Sequence, residues 1–233
     1  SDNSPGDQEM QSYGAGTTYQ RKKGHNAAFK VTYYDWQEYA TFISGITGGS
    51  TLANNAGGND RSVDDFKILN LYGETTCDVP TWWWGTQPLK LFGDYAQNLG
   101  DEADTNAFTD ESLAIGPLAS QRLDEDTAFS LGATIGKSKE QSDWAFTYEY
   151  LYIEPNAVVG NFAESDLGLG FANNKGHRLS YKYMLMKSLE LNLTAWLVER
   201  VNKSIQTFGS ADTRVAGDDD QVLRTQVDLV WKF

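Results

Sequence analysis

The chain has 233 residues, with 32 acidic against 19 basic side chains and a net charge of -13, which argues against a nucleic-acid partner that must be met with positive charge. Its one cysteine, Cys77, leaves no internal disulfide and no zinc ribbon, and no run of about 18 apolar residues offers a membrane-spanning helix. Abundant glycine and aromatic residues, with little proline or methionine, suit strands and turns better than helices.

Residues 1–24 open on the acidic, loop-like "SDNSPGDQEM", then a weak strand, Tyr13 to Arg21, and the turn "KGHN". From about Ala27 a period of two sets in, and eight strands are counted to Phe233. "NAAFKVTYYDW" sets Phe29, Val31 and Tyr33 against Lys30, Thr32 and Tyr34; "DFKILNLYGET" fits either phase; "PLKLFGDYAQN" sets Leu89, Leu91, Gly93 and Tyr95 against Lys90, Phe92, Asp94 and Ala96. "TAFSLGATIGK" places Phe129, Leu131 and Ile135 opposite Ser130, Gly132 and Thr134, and "DWAFTYEYLYIE" places Trp144, Phe146, Tyr148 and Tyr150 opposite Ala145, Thr147, Glu149 and Leu151. Leu179, Tyr181 and Tyr183 then oppose Arg178, Ser180 and Lys182, and Leu189 to Leu197 oppose Glu190 to Val198. The closing "TQVDLVWKF" carries Leu223, Val227, Leu229, Trp231 and Phe233 on one face, Arg224, Asp228 and Lys232 on the other.

The connections alternate in length. Long polar loops run from about Gln37 to Asp65, Leu99 to Asp126, Pro155 to Asn174 and Asn202 to Gln221. Short turns fall at "GKSKEQS" and "MKS", with a middling one at "TTCDVPTWWWGTQ". Long loops on one rim and short turns on the other predict an all-β, transmembrane antiparallel up-and-down β-barrel of the outer-membrane type, in contact with outer-membrane lipid. By parity the last strand descends to the short-turn rim, where Phe233 ends it as an interfacial aromatic.

On such a wall, Lys30, Lys90, Asp94, Glu149, Arg178, Lys182, Glu190, Arg200, Arg224, Asp228 and Lys232 face inward as pore-lining candidates, mixed in sign and leaning basic. Charges persist on that face if the lumen is wet or the charges pair, so a passage for small hydrophilic solutes and ions is expected. Trp82, Trp83, Trp84, Trp144 and Trp231 read as an aromatic girdle. Consecutive strand residues point to opposite faces, so the three adjacent tryptophans make no flat sugar-binding shelf unless the backbone is irregular there. The acidic clusters "GDDDQ", "DEADTN" and "ESD" could take calcium, although none has EF-hand spacing; no other cofactor is expected. His177 with Ser180 is the only conceivable hydrolytic pairing, and His25 reads as a turn residue, so no catalytic residue is assigned.

"PLKLFGDYAQN", the run "DWAFTYEYLYIEPNAVVGNFAESDLGLGFANNKGHRLSYKYMLMKSLELNLTAWLVER" and "QVDLVWKF" together resemble the C-terminal part of the putative porin family of Gram-negative bacteria, over roughly Leu89 to Phe233. The resemblance implies a passive diffusion channel in the bacterial outer membrane. Likeness to outer-membrane proteins in general implies that Phe233 is the assembly signal read by the barrel-assembly machinery. Two alternatives stay open: a small closed structural or adhesion barrel, and a secreted carbohydrate-binding β-sandwich. Counting the weak N-terminal strand gives nine, whereas bacterial single-chain barrels have an even number. Residues 25–233 are therefore expected to be the C-terminal part of a larger barrel, with a homo-oligomer left open.

Overall fold

A computed structural model describes residues 9–22, 24–37, 66–100, 125–159, 172–201 and 221–231. Period-two segments joined by turns have one economical solution, a meander in which each strand pairs with the one before it. Nine strands do this among the described residues: β1 (Glu9–Lys22), β2 (His25–Gln37), β3 (Phe66–Thr81), β4 (Gly85–Asn98), β5 (Thr127–Gly136), β6 (Trp144–Ile153), β7 (Asn174–Met186), β8 (Leu189–Arg200) and β9 (Val222–Trp231). They form one antiparallel up-and-down sheet in the order β1 to β9, and β1 and β9 are its unjoined edges.

The eight strands counted from about Ala27 onward are β2 to β9, and β1 makes the ninth. The weak strand at the start of the chain is real and runs from Glu9 to Lys22. It lacks hydrophobic alternation because one face is Ser12, Gly14, Gly16 and Thr18, and it is held by a ladder to β2, with Tyr13 opposite Tyr33 and Thr17 opposite Phe29. The connection around the tryptophans is also shorter than expected. Thr75 to Thr81 belong to β3 and only Trp82–Trp84 turn. The Thr81 hydroxyl donates to Gly85 O at 2.6 Å and accepts from the Trp84 N–H at 3.3 Å, which closes that turn.

Gly136 ends β5 with φ at 89°, a conformation that glycine adopts without steric cost. A Cβ there would stand 2.3 Å from Trp144 O. That oxygen accepts the Lys137 N–H at 2.8 Å, so the hairpin from β5 to β6 depends on the missing side chain.

The register fixes two faces. One row system carries Ala133, Tyr148, Leu179, Ala195 and Thr225, the other Thr134, Thr147, Ser180, Thr194 and Gln226. The first face is open to the surroundings: Leu223, Val227 and Leu229 on β9 are 68%, 68% and 66% exposed. The second is concave, since one concavity of about 520 Å³ is lined by residues of every strand from β3 to β9.

The buried apolar core lies at the long-loop end of the concave face. Phe66, Ile68, Ala96, Ala128, Ala157 and Val159 pack together, with Tyr34, Trp36, Ile153 and Val158 against them. Pro155, Asn156, Ala157 and Val159 follow β6 and fold inward onto the wall instead of leaving it. Three hydrogen bonds hold the segment: Glu154 N–H to Thr127 O at 3.1 Å, Asn156 N–H to Glu125 O at 2.9 Å, and Asn98 Nδ2 to Asn156 O at 3.1 Å. This accounts for the end of β6, which is apolar on both faces: Leu151 and Ile153 meet the core clusters there.

Candidate functional site: a charged concave wall

Cross-strand pairing sets the concave side chains in rows. One row reads Glu74, Phe92, Gly132, Glu149, Arg178, Trp196, Arg224 from β3 to β9. The next, toward the short turns, reads Thr76, Lys90, Thr134, Thr147, Ser180, Thr194, Gln226. The one after that ends in Lys182, Asn192 and Asp228.

Two opposite-charge pairs form on this face, and neutral partners meet several of the other charges. Arg178 meets Glu149 at 2.5 Å, and the Glu149 side chain is only 8% exposed. Lys90 bonds Glu74 at 3.0 Å, and the Tyr72 hydroxyl donates to the same carboxylate at 2.5 Å. Asp94 accepts from Asn70 Nδ2. Arg224 stacks on Trp196, 5.2 Å from its ring centre, and Glu190 accepts from the Ser138 hydroxyl at 2.7 Å. Half-buried opposite charges gain from such pairing because the wall at their backs has low polarizability.

Neutral groups fill the space between them. The Thr134 and Thr147 hydroxyls are 2.9 Å apart and Thr194 donates to Ser180 at 3.4 Å. The tip of the Phe92 ring occupies the space that a side chain at Gly132 would need, 2.3 Å from the position of its Cβ.

The expected inward residues largely come together. Lys30, Lys90, Asp94, Glu149, Arg178, Lys182, Glu190, Arg200, Arg224 and Asp228 all fall on the concave face by register. Lys90, Asp94, Glu149, Arg178, Lys182 and Asp228 line the concavity itself. Lys232 and Phe233 lie outside the described residues, as do the acidic clusters considered for calcium. Sequence reasoning missed Glu74 and Asp78, because the phase of β3 was ambiguous; pairing with Phe92 and Pro88 puts both on the concave face. The described wall then carries six cations (Lys30, Lys90, Arg178, Lys182, Arg200, Arg224) and six acids (Glu74, Asp78, Asp94, Glu149, Glu190, Asp228). It is balanced, not basic.

The five tryptophans expected to form a girdle gather at the short-turn rim. Trp82 and Trp83 are 93% and 80% exposed in the turn, and Trp84 meets Trp144 edge to face at 5.0 Å. Trp231 stands on the convex face opposite Leu189. A second aromatic group, not anticipated, sits on the convex face toward the long loops, where Phe129 stacks on Tyr152 at 5.3 Å. His177 also points to the convex face, its Nδ1 2.9 Å from the Tyr148 hydroxyl, while Ser180 points to the concave one. The pairing of His177 with Ser180 is therefore not formed.

An antiparallel up-and-down sheet with an apolar, aromatic-edged convex face and a charged concave face defines an all-β class consistent with the wall of a β-barrel. The family model described as "Putative porin" matches residues 62–213, and the chain belongs to that family. No curated protein and no solved structure matches the chain.

Proposed function

We propose that the nine strands form part of the wall of an outer-membrane barrel through which small hydrophilic solutes and ions diffuse passively. The observation that carries this reading is the division of one sheet into two solvents. The convex face offers Leu223, Val227, Leu229 and their neighbours largely exposed, and each such side chain gains about 1.5–3 kcal/mol when moved from water into hydrocarbon. The concave face holds twelve ionizable groups, six of each sign, which hydrocarbon would not tolerate and a wet lumen does. Strands of 10 to 16 residues are long enough to cross a bilayer at a tilt.

Unpaired strand edges are not stable in hydrocarbon. Since β1 and β9 run in the same direction, they cannot close on one another antiparallel. An odd number of further strands, outside the nine, completes an antiparallel barrel, in keeping with a larger porin of even strand number. The inward-folded Pro155–Val159 segment narrows the long-loop mouth, which lies on the outer side by the length rule for outer-membrane barrels. Two opposite-charge pairs on the wall, Arg178 with Glu149 and Lys90 with Glu74, support a reading in which the passage carries solutes without acting on them.

The test is a planar-bilayer recording on the detergent-extracted protein, with gel mobility of boiled and unboiled samples beside it. Stepwise KCl conductance and a heat-dependent mobility shift are expected. Full solubility in plain buffer, with no conductance and no mobility shift, would return the reading to a soluble sandwich.

A further inference from the structure

We propose that the solute this wall is built to pass is a neutral, polyhydroxylated molecule of sugar type, guided by a hydroxyl ladder across β5 to β9. The inference deepens the channel reading and rests on it. The ladder is Thr134, Thr147, Ser180, Thr194 and Gln226, five consecutive cross-strand partners on five strands. All five line the concavity. Cross-strand neighbours in a sheet stand about 4.5–5.5 Å apart, a spacing close to that between hydroxyl groups on opposite sides of one sugar ring.

Hydrogen-bonding capacity favours this solute class over others. A hydroxyl both donates and accepts, and an amide carries a donor and an acceptor side by side. From β5 to β9 the row is made only of such groups and can exchange bonds with a polyol in any orientation, because each solute hydroxyl also does both; beyond Thr134 it continues into Lys90, which is paired with Glu74. Thr134 with Thr147, and Thr194 with Ser180, are bonded to each other along the row. A passing hydroxyl can take the place of each of these bonds without leaving a buried group unmet.

The rows on either side argue against a charged cargo. Above the ladder, Arg178 is neutralized by Glu149 at 2.5 Å. Below it, Lys182 and Asp228 flank Asn192 in one row, so the signs alternate there too. An anion moving along the ladder would meet Glu149 and Asp228 as well as the cations, and a cation would meet Arg178 and Lys182. The Arg178–Glu149 pair above, and Lys182 and Asp228 of opposite sign below, bracket an uncharged track, and together exclude no sign strongly and reward neither. At the β4 end, Phe92, which lines the same concavity and fills the space over Gly132, supplies an apolar surface against which the carbon face of a sugar ring can rest.

The test uses the complete protein purified from cells in detergent, reconstituted singly into planar bilayers, with maltotriose as the neutral probe. Glucose, gluconate and glucosamine are compared by liposome swelling. The double variant Thr147→Val with Ser180→Ala removes two hydroxyls at nearly constant shape; Thr147→Ser keeps one. Wild type should show sugar-dependent interruptions of the KCl current, and glucose should enter faster than either charged relative. In the double variant the KCl conductance should persist while the concentration of maltotriose giving half-block rises roughly tenfold; Thr147→Ser should stay within about twofold of wild type. Persistent conductance with unchanged block in the double variant would overturn the ladder, and so would preferential entry of gluconate or glucosamine. Absence of any conductance in wild type would remove the channel reading itself, and the inference with it.

Discussion

Replacing Glu149 by glutamine keeps the shape of the side chain and removes one of the six concave acids, leaving Arg178 without its counter-charge at 2.5 Å. The described wall shifts from six against six to six cations against five acids. Breaking so buried a pair costs on the order of 3–5 kcal/mol of stability, so the folded fraction is measured first by gel mobility. The effect on the channel is distinct from that cost. A unit charge acting over about 8 Å of water contributes about 0.5 kcal/mol. It favours an anion and disfavours a cation by the same amount, so their ratio changes by about 1 kcal/mol, or roughly fivefold. At 1 M salt the screening length falls to about 3 Å and the effect nearly vanishes. The assay is the reversal potential of single channels across a KCl gradient, at low and at high mean salt. Wild type should be close to unselective at the wall, and Glu149→Gln should move toward anions at low salt only. Arg178→Gln should move toward cations by a similar factor. An unchanged reversal potential at low salt in both variants, with conductance intact, would show that these residues do not line the conducting path.

Gly136→Ala forces a side chain into positive φ and to within 2.3 Å of Trp144 O; it should cost about 2–4 kcal/mol in urea unfolding followed by gel mobility. Gly73→Ala, where a Cβ meets nothing within 4 Å, should stay within about 0.5 kcal/mol by the same measurement. In the turn after β5, the backbone N–H groups of Glu140 and Lys139 donate to the Asp143 carboxylate and hold its pKa below the ordinary aspartate value. Its folded pKa lies below its unfolded one, so that stabilization is complete above the unfolded value and is lost as the pH falls through the folded one. Amide exchange at residues 139 and 140 should therefore lose protection only in acid, and Asp143→Asn should flatten the dependence. Val159→Asp puts a carboxylate into the mouth core, where Val159 is 2% exposed; it should detach the inward segment and raise single-channel conductance, and an unchanged conductance would show that the segment does not narrow the path.

Where each face was uniform in character, its residues were legible from the alternation alone. β9 is the clear case, with Leu223, Val227 and Leu229 convex and Arg224, Gln226 and Asp228 concave. β3 was not legible, because its concave face changes character along its length: Ile68 belongs to the mouth core, while Asn70, Tyr72 and Glu74 belong to the polar wall. A period of two with apolar residues on both sides has no defined phase until a partner strand supplies one. β1 was weak for the opposite reason, since Gly14 and Gly16 leave its concave face nearly bare and its pairing with β2 is a backbone matter. The balance of the wall followed from the first of these difficulties: Glu74 and Asp78 entered the count only through the register of β3 with β4.

The mouth core has a consequence for assembly. In the ladder strands a slip of one position would carry Glu149, Arg178 and Lys182 to the convex face and Tyr148, Leu179 and Leu193 to the concave one, so the two faces already specify register there. Sliding β3, β4 or β5 by a single position would send Ile68, Ala96 or Ala128 to the other side of the sheet and leave Ala157 and Val159 with nothing to pack against. The inward segment can therefore dock only on a correctly aligned wall. It works as a check on alignment, stabilizing only those molecules whose strands have found their proper partners.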